Sequence, residues 1–173
     1  MKVYSYLNQL RKNMVGNITK EKLDKVIKEL FVFCKYSINK TGWPYVSFVL
    51  KRGVIVAKDF NNTRQALDPT LQCSVSAIRK VLSSLETNDL AGHSLLSLFE
   101  PTILSFDIAL WAGIKDFIWC INAKSAPEHY NKMSYSPLIY ASKNPGKVNI
   151  LSGVCEKEAL EFLKSCKGIE PVY

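Results

Sequence analysis

The chain has 173 residues, 47% of them hydrophobic and 22% charged, a balance that fits one globular domain with a real core and excludes a disordered or low-complexity polymer. Lys and Arg outnumber Asp and Glu by 23 to 15, and the net charge of +8 favours an anionic partner, nucleotide or nucleic acid first, against the competing reading of a basic surface that aids solubility. No apolar run reaches the roughly 18–20 residues of a membrane span, no signal-peptide layout is present, and five scattered cysteines (Cys34, Cys73, Cys120, Cys155, Cys166) form no C-x-x-C, so the expectation is a reduced, cytoplasmic protein with no membrane partner.

Residues 1–18, with Arg11, Lys12, Asn13 and Gly16, are expected to form an N-terminal extension, and residues 19–173 the folded domain. Thr19 can cap a first helix, Glu21 suits its positive end, and Leu23, Val26, Ile27, Leu30 and Cys34 keep a helical stripe until Gly42-Trp43-Pro44 ends it. Residues 45–50 and 54–57 are β-rich, and Lys51-Arg52-Gly53 between them signals a hairpin. Asn61-Asn62-Thr63 opens a polar loop to Asp68-Pro69. From there a second helix is predicted, with Val75, Ile78, Val81, Leu82 and Leu85 on one face.

Residues 95–99 read as a buried strand that follows His93. Pro101 suits a first helical position, where its missing N–H costs nothing. The helix it opens is predicted to reach about Ala112 and to present Ile103, Leu104, Ile108 and Leu110. Residues 116–121 form another strand, and residues 122–146 an irregular connection with one or two helical turns. Residues 148–151 make a last strand, and a final helix runs from about Cys155 to Cys166. Strands alternating with helices after an opening hairpin predict an α/β layered domain with a partly parallel sheet.

Two segments carry chemistry. Asp68-Pro69-Thr70-Leu71-Gln72-Cys73-Ser74-Val75-Ser76-Ala77-Ile78-Arg79 is followed by Leu95-Leu96-Ser97-Leu98-Phe99-Glu100-Pro101-Thr102-Ile103-Leu104-Ser105. In order and spacing they resemble the two motifs of the cytidine deaminase superfamily, nearest the tRNA adenosine deaminase and guanine deaminase branch. Further pieces are similar to the same family: Gly42 to Leu50 to its first strand, Val56-Ala57-Lys58-Asp59-Phe60-Asn61 to the segment that carries its nucleoside-contacting Asn, Ile114 to Trp119 to the strand after the second motif, and Val148 to Glu158 to its ending. Asp59 stands where the family has a glycine. The resemblance covers roughly residues 21–167 and implies a three-layer α-β-α sandwich around a five-stranded mixed sheet.

It also implies a zinc site, with one His and two Cys at two facing helix N-termini and a Glu that shuttles the proton of the metal-bound water. In this chain Gln72 stands at the His position, Ser74 at the Glu position, and Thr102 and Ser105 at the two Cys positions. Neutral amides and hydroxyls are poor zinc ligands beside imidazole and thiolate, so the family's zinc is expected to be lost and no other cofactor is implied. Nothing nearby substitutes for it. Cys73 is one helical step, about 100°, away from the His position. The two histidines, His93 and His129, fall elsewhere.

The emptied positions leave two readings open. Gln72, Ser74, Thr102 and Ser105, with Asn61, could line a pocket for an anion or a nucleobase edge, or the hydroxyls could cap the two helices and fill the space of the metal. Trp43, Tyr45, Phe60, Trp111 and Trp119 fit core or dimer interface better than base stacking. Glu100 reads as structural, and Tyr130, Tyr135 and Tyr140 fit packing over the sheet better than a substrate lid. The expected function is therefore that of a catalytically inactive, deaminase-like protein that binds a nucleotide, an RNA or a partner subunit. The alternative is a diverged nucleoside or tRNA deaminase with another metal or mechanism. Since the resemblance implies dimers joined through the helices after the two motifs, a homodimer, or a heterodimer with a deaminase-like subunit, is expected.

Overall fold

The computed structural model describes residues 18–127 and 135–169. Most of the N-terminal extension, together with His129, Tyr130 and Lys132, lies outside them. The chain opens with helix α1 (Lys20–Thr41), then the hairpin β1 (Val46–Lys51) and β2 (Val54–Phe60), and a four-residue helix α2 (Thr63–Ala66). After it come α3 (Cys73–Ser84), β3 (His93–Phe99), α4 (Ile103–Trp111) and β4 (Asp116–Ile121). The last elements are α5 (Pro137–Lys143), β5 (Asn149–Leu151) and α6 (Glu156–Ser165). The five strands form one mixed sheet in the order β2-β1-β3-β4-β5, with β1 antiparallel to both its neighbours and β3, β4 and β5 parallel.

Local chemistry sets the ends of α1. The Thr19 hydroxyl accepts the Lys22 N–H at 3.3 Å, and Gly42, at φ 76°, closes the helix by donating to the Ile38 carbonyl at 2.8 Å. Ser37 then donates from Oγ to the Trp43 carbonyl at 2.7 Å and fixes the exit toward β1. The apolar stripe from Leu23 to Cys34 is buried, as its spacing predicts, together with Ile18 just before the helix. Arg52 and Gly53, at φ 52° and 76°, make the two-residue turn between β1 and β2.

Strand β3 is buried along its whole length, as a central strand covered on both faces must be. Leu96 and Leu98 point with Phe48, Leu50, Ile118 and Cys120 to the face covered by α1 and α6. Leu95 points with Val49, Phe117 and Trp119 to the face covered by α3 and α4. The result is the expected three-layer sandwich.

The differences from the sequence expectations have local causes. Helix α3 starts at Cys73 and not at Asp68, because Asp68 Oδ1 accepts both the N–H and the hydroxyl of Thr70, at 2.8 and 2.7 Å, and turns the chain before Gln72. Leu85 lies past the helix end and is 52% exposed, off the predicted face. Pro101 precedes the cap of α4: Thr102 is the N-cap, its Oγ1 accepting Ser105 N–H at 3.2 Å. That helix buries Ser105, Phe106 and Ala109, packs the predicted Ile108 and Leu110 partly against the core and leaves the predicted Ile103 and Leu104 outside. His93 opens β3, β2 runs on to Phe60, and the polar loop contains α2.

Phe106 anchors α4 to the sheet, its ring centroid 4.6 Å from Phe117 and 5.4 Å from Tyr140 of α5. Truncation of Phe106 to Ala is expected to cost about 3–5 kcal/mol of unfolding free energy in urea titrations, as buried aromatic deletions do; a loss under about 1 kcal/mol is the result that contradicts this packing.

Candidate functional site

Helices α3 and α4 begin side by side beyond the C-terminal end of β3, and the motif residues sit at those two ends. Gln72 is the N-cap of α3 by backbone conformation, with ψ 150°, but its side chain does not cap its own helix. It reaches across to α4. Its Oε1 accepts the Thr102 hydroxyl at 2.5 Å and the Ser105 hydroxyl at 2.9 Å. A carbonyl oxygen has two lone pairs, so this acceptor is filled. Thr102 in turn uses its remaining capacity to take the Ser105 N–H. Three of the sequence-predicted positions are thus brought together in one closed set of hydrogen bonds.

Ser74 belongs to a second group. Its hydroxyl lies 2.7 Å from that of Ser47, which also sits 3.2 Å from Cys73 Sγ. Ser74 and Ser47 are both buried. Sequence reasoning missed Ser47; the signal was a lone hydroxyl inside the apolar run of β1, on the side that faces α3. Asn61 is bonded to neither group. Its N–H donates to the Tyr45 carbonyl at 3.0 Å and its Oδ1 accepts the Thr63 N–H at 3.4 Å, so both groups serve the loop after β2.

Glu100 is 4% exposed and accepts the Ala123 N–H at 2.9 Å and the Ser136 hydroxyl. It ties the end of β3 to the segment after β4 and to the cap of α5, a structural role. Burial pushes the Cys73 thiol up, with the Ser47 and Ser74 hydrogen bonds working the other way, so this cysteine stays neutral. The Cys34 and Cys120 thiols are raised by burial too. His93 lies at the far end of β3 from Thr102, about 20 Å along the strand, with Nδ1 against the Leu90 carbonyl at 3.0 Å. It cannot activate Cys73.

Among the described residues no group of three or more His, Cys, Asp or Glu side chains could hold a metal ion. The donors that stand at the implied zinc positions are one amide oxygen and two hydroxyls, and these are already bonded to one another. Zinc sites are built from imidazole, thiolate and carboxylate. The residues present do not fit zinc.

The layered mixed sheet, with two facing helix N-termini at the end of its central strands, is the cytidine deaminase-like fold. No family model matches the chain. Guanine deaminase of Bacillus subtilis (strain 168) is 30% identical over 87 residues, 50% of this chain and 56% of that protein, so the chain spans about half the length of the curated relative it matches. Among solved structures, a guanine deaminase from Nitrosomonas europaea is similar with a TM-score of 0.71 at 16% identity, over 79% of this chain and 80% of that one. A structure from work on A-to-I editing by tRNA deaminases at the wobble position of transfer RNA gives 0.62 at 19% identity, over 78% and 96%. The guanine deaminase structure from Bacillus subtilis gives 0.52 at 26% identity, over 63% and 69%.

The Gln72 bridge has a measurable consequence. Gln72→Ala leaves two partly buried hydroxyls without their acceptor and is expected to destabilise the protein by about 1–3 kcal/mol. Gln72→Glu keeps an acceptor and places a negative charge at two helix N-termini, so it is expected to retain stability at neutral pH. Equal denaturation midpoints for wild type and Gln72→Ala contradict the bridge.

Proposed function

We propose that this chain is a zinc-free, catalytically inactive relative of the nucleobase deaminases that works by binding a nucleotide, an RNA or a partner subunit. The observation that carries this reading is the Gln72 carboxamide joined to the Thr102 and Ser105 hydroxyls, where the resemblance puts His and two Cys. Ser74, where the resemblance puts the proton-shuttling Glu, is a hydroxyl paired with Ser47 and does not titrate near neutral pH. The hydrogen bonds favour the capping role of Thr102 and a space-filling role of Gln72 and Ser105, because both hydroxyl donors point at Gln72. The basic balance of +8 supports an anionic ligand, and five free thiols with no helix long and apolar enough to span a membrane among the described residues are in keeping with a cytoplasmic setting.

The second reading, a diverged deaminase, is favoured by the 30% identity to a guanine deaminase. Ammonia release separates the two. Purified protein is expected to release none from guanine, adenosine, cytidine or tRNA; turnover that follows the protein through purification overturns the binding reading.

Exposed apolar residues on α4 and α5 support the partner part of this reading. Ile103, Leu104 and Trp111 of α4 and Leu138 and Ile139 of α5 are exposed, Trp111 by 86%, and the Phe106–Tyr140 contact holds the two helices together. Exposed apolar side chains on two neighbouring helices suit association with a like chain. A homodimer is the simplest occupant. Light scattering is expected to show a dimer for the wild type and a monomer for Trp111→Glu; the same mass for both removes this face as the interface.

A further inference from the structure

A cleft of about 280 Å³ lies one helical turn beyond Gln72, between the solvent side of α3, the end of β2 and the loop that joins them. Gln72, Ser74, Thr102, Ser105 and Asn61 do not line it. Its polar wall is made by Arg79 and Ser76 of α3 and by Asn62, and its apolar wall by Phe60 and Leu71. Asp59 and Lys80 complete the rim and are spent on each other: Lys80 Nζ is 3.0 Å from Asp59 Oδ2, and Asp59 Oδ1 accepts the Phe60 N–H at 2.9 Å. Arg79 has no such partner among the described residues. The carboxylate it influences is Asp68, whose Oδ1 is occupied by Thr70. The Asn62 amide does not cap α2 and makes no side-chain hydrogen bond to a described residue, and neither does the Ser76 hydroxyl.

The cleft therefore offers one unspent guanidinium and two neutral donors together with an aromatic ring and an isobutyl group. A guanidinium fork with flanking neutral donors matches the oxygens of a phosphoryl group, and the apolar wall matches a flat or hydrophobic carrier. A carboxylate ligand would fill fewer of these donors, and a cation would face Arg79 and the Lys80 side of the rim.

We propose that this cleft binds a phosphoryl group borne on a nucleoside-sized carrier, with Arg79 supplying the charge, Asn62 and Ser76 the neutral hydrogen bonds, and Phe60 and Leu71 the contact to the carrier. The site stands apart from the zinc-position residues and does not depend on how their function is read. Isothermal titration of the full chain with guanosine monophosphate, guanosine and inorganic phosphate tests it. The monophosphate is expected to bind saturably, and Arg79→Gln to weaken it by about tenfold or more, the scale of a lost charged hydrogen bond. Asn62→Ala is expected to weaken it less. Guanosine alone is expected to bind at least about tenfold more weakly than the monophosphate, by the same lost charged hydrogen bond. Competition by inorganic phosphate places the recognition in the phosphoryl group, and absence of competition places it in the phosphoryl group and carrier together; both support the site. Equal affinity of wild type and Arg79→Gln for the monophosphate, or no saturable binding by a folded wild type, overturns it. Arg79 is exposed, so its variants are expected to keep the wild-type melting temperature.

Discussion

Two helices that start side by side present orphan N–H groups and positive dipole ends to the same small volume, and something must accept there. In this protein the Ser105 N–H is taken by the Thr102 hydroxyl, and a single carboxamide oxygen holds that hydroxyl and its neighbour. Gln72 Oε1 gathers the Thr102 and Ser105 hydroxyls, Thr102 caps α4 through the Ser105 N–H, and the start of α3 is thereby fixed against the start of α4. Ser47 and Ser74 perform the matching task one layer in, joining β1 to α3. Neutral groups bonded to one another stand where the resemblance puts metal-binding and titrating ones.

That difference changes what the site can do. A bound divalent ion acts as a Lewis acid and lowers the pKa of its water. A saturated amide–hydroxyl cluster offers neither a vacant coordination position nor a titrating group. Glu100, which stands in the second motif, is buried in a bracing role between β3, the segment after β4 and α5. Elsewhere the surface carries exposed apolar residues on α4 and α5 and a cleft between α3 and β2 lined by Arg79.

Much of this could be read in the sequence, for definable reasons. The stripe of α1 and the runs of β1, β3 and β4 are local patterns, and burial on one or both faces writes them directly into residue type. The positions of Gln72, Ser74, Thr102 and Ser105 followed from the order and spacing of two motifs. The face of α4 could not be read in this way, since Ile103, Leu104, Phe106, Ile108, Leu110 and Trp111 are apolar nearly all round the helix and leave periodicity nothing to choose. The start of α3 was misplaced because Asp68-Pro69 imitates a cap followed by a first helical proline, while Asp68 in fact closes a turn on Thr70. The Arg79 cleft depends on contacts between distant segments, which no local pattern carries, and Ser47 shows locally only as a lone hydroxyl whose partner Ser74 lies far along the chain.

The central claim is that the residues at the zinc positions hold one another and not a metal. Elemental analysis of protein purified from zinc-supplemented cells, beside the variant carrying Gln72→His, Ser74→Glu, Thr102→Cys and Ser105→Cys, tests it most directly. The account predicts wild-type protein with no zinc above background and a variant that retains one zinc per chain. Stoichiometric zinc in the wild type would contradict it.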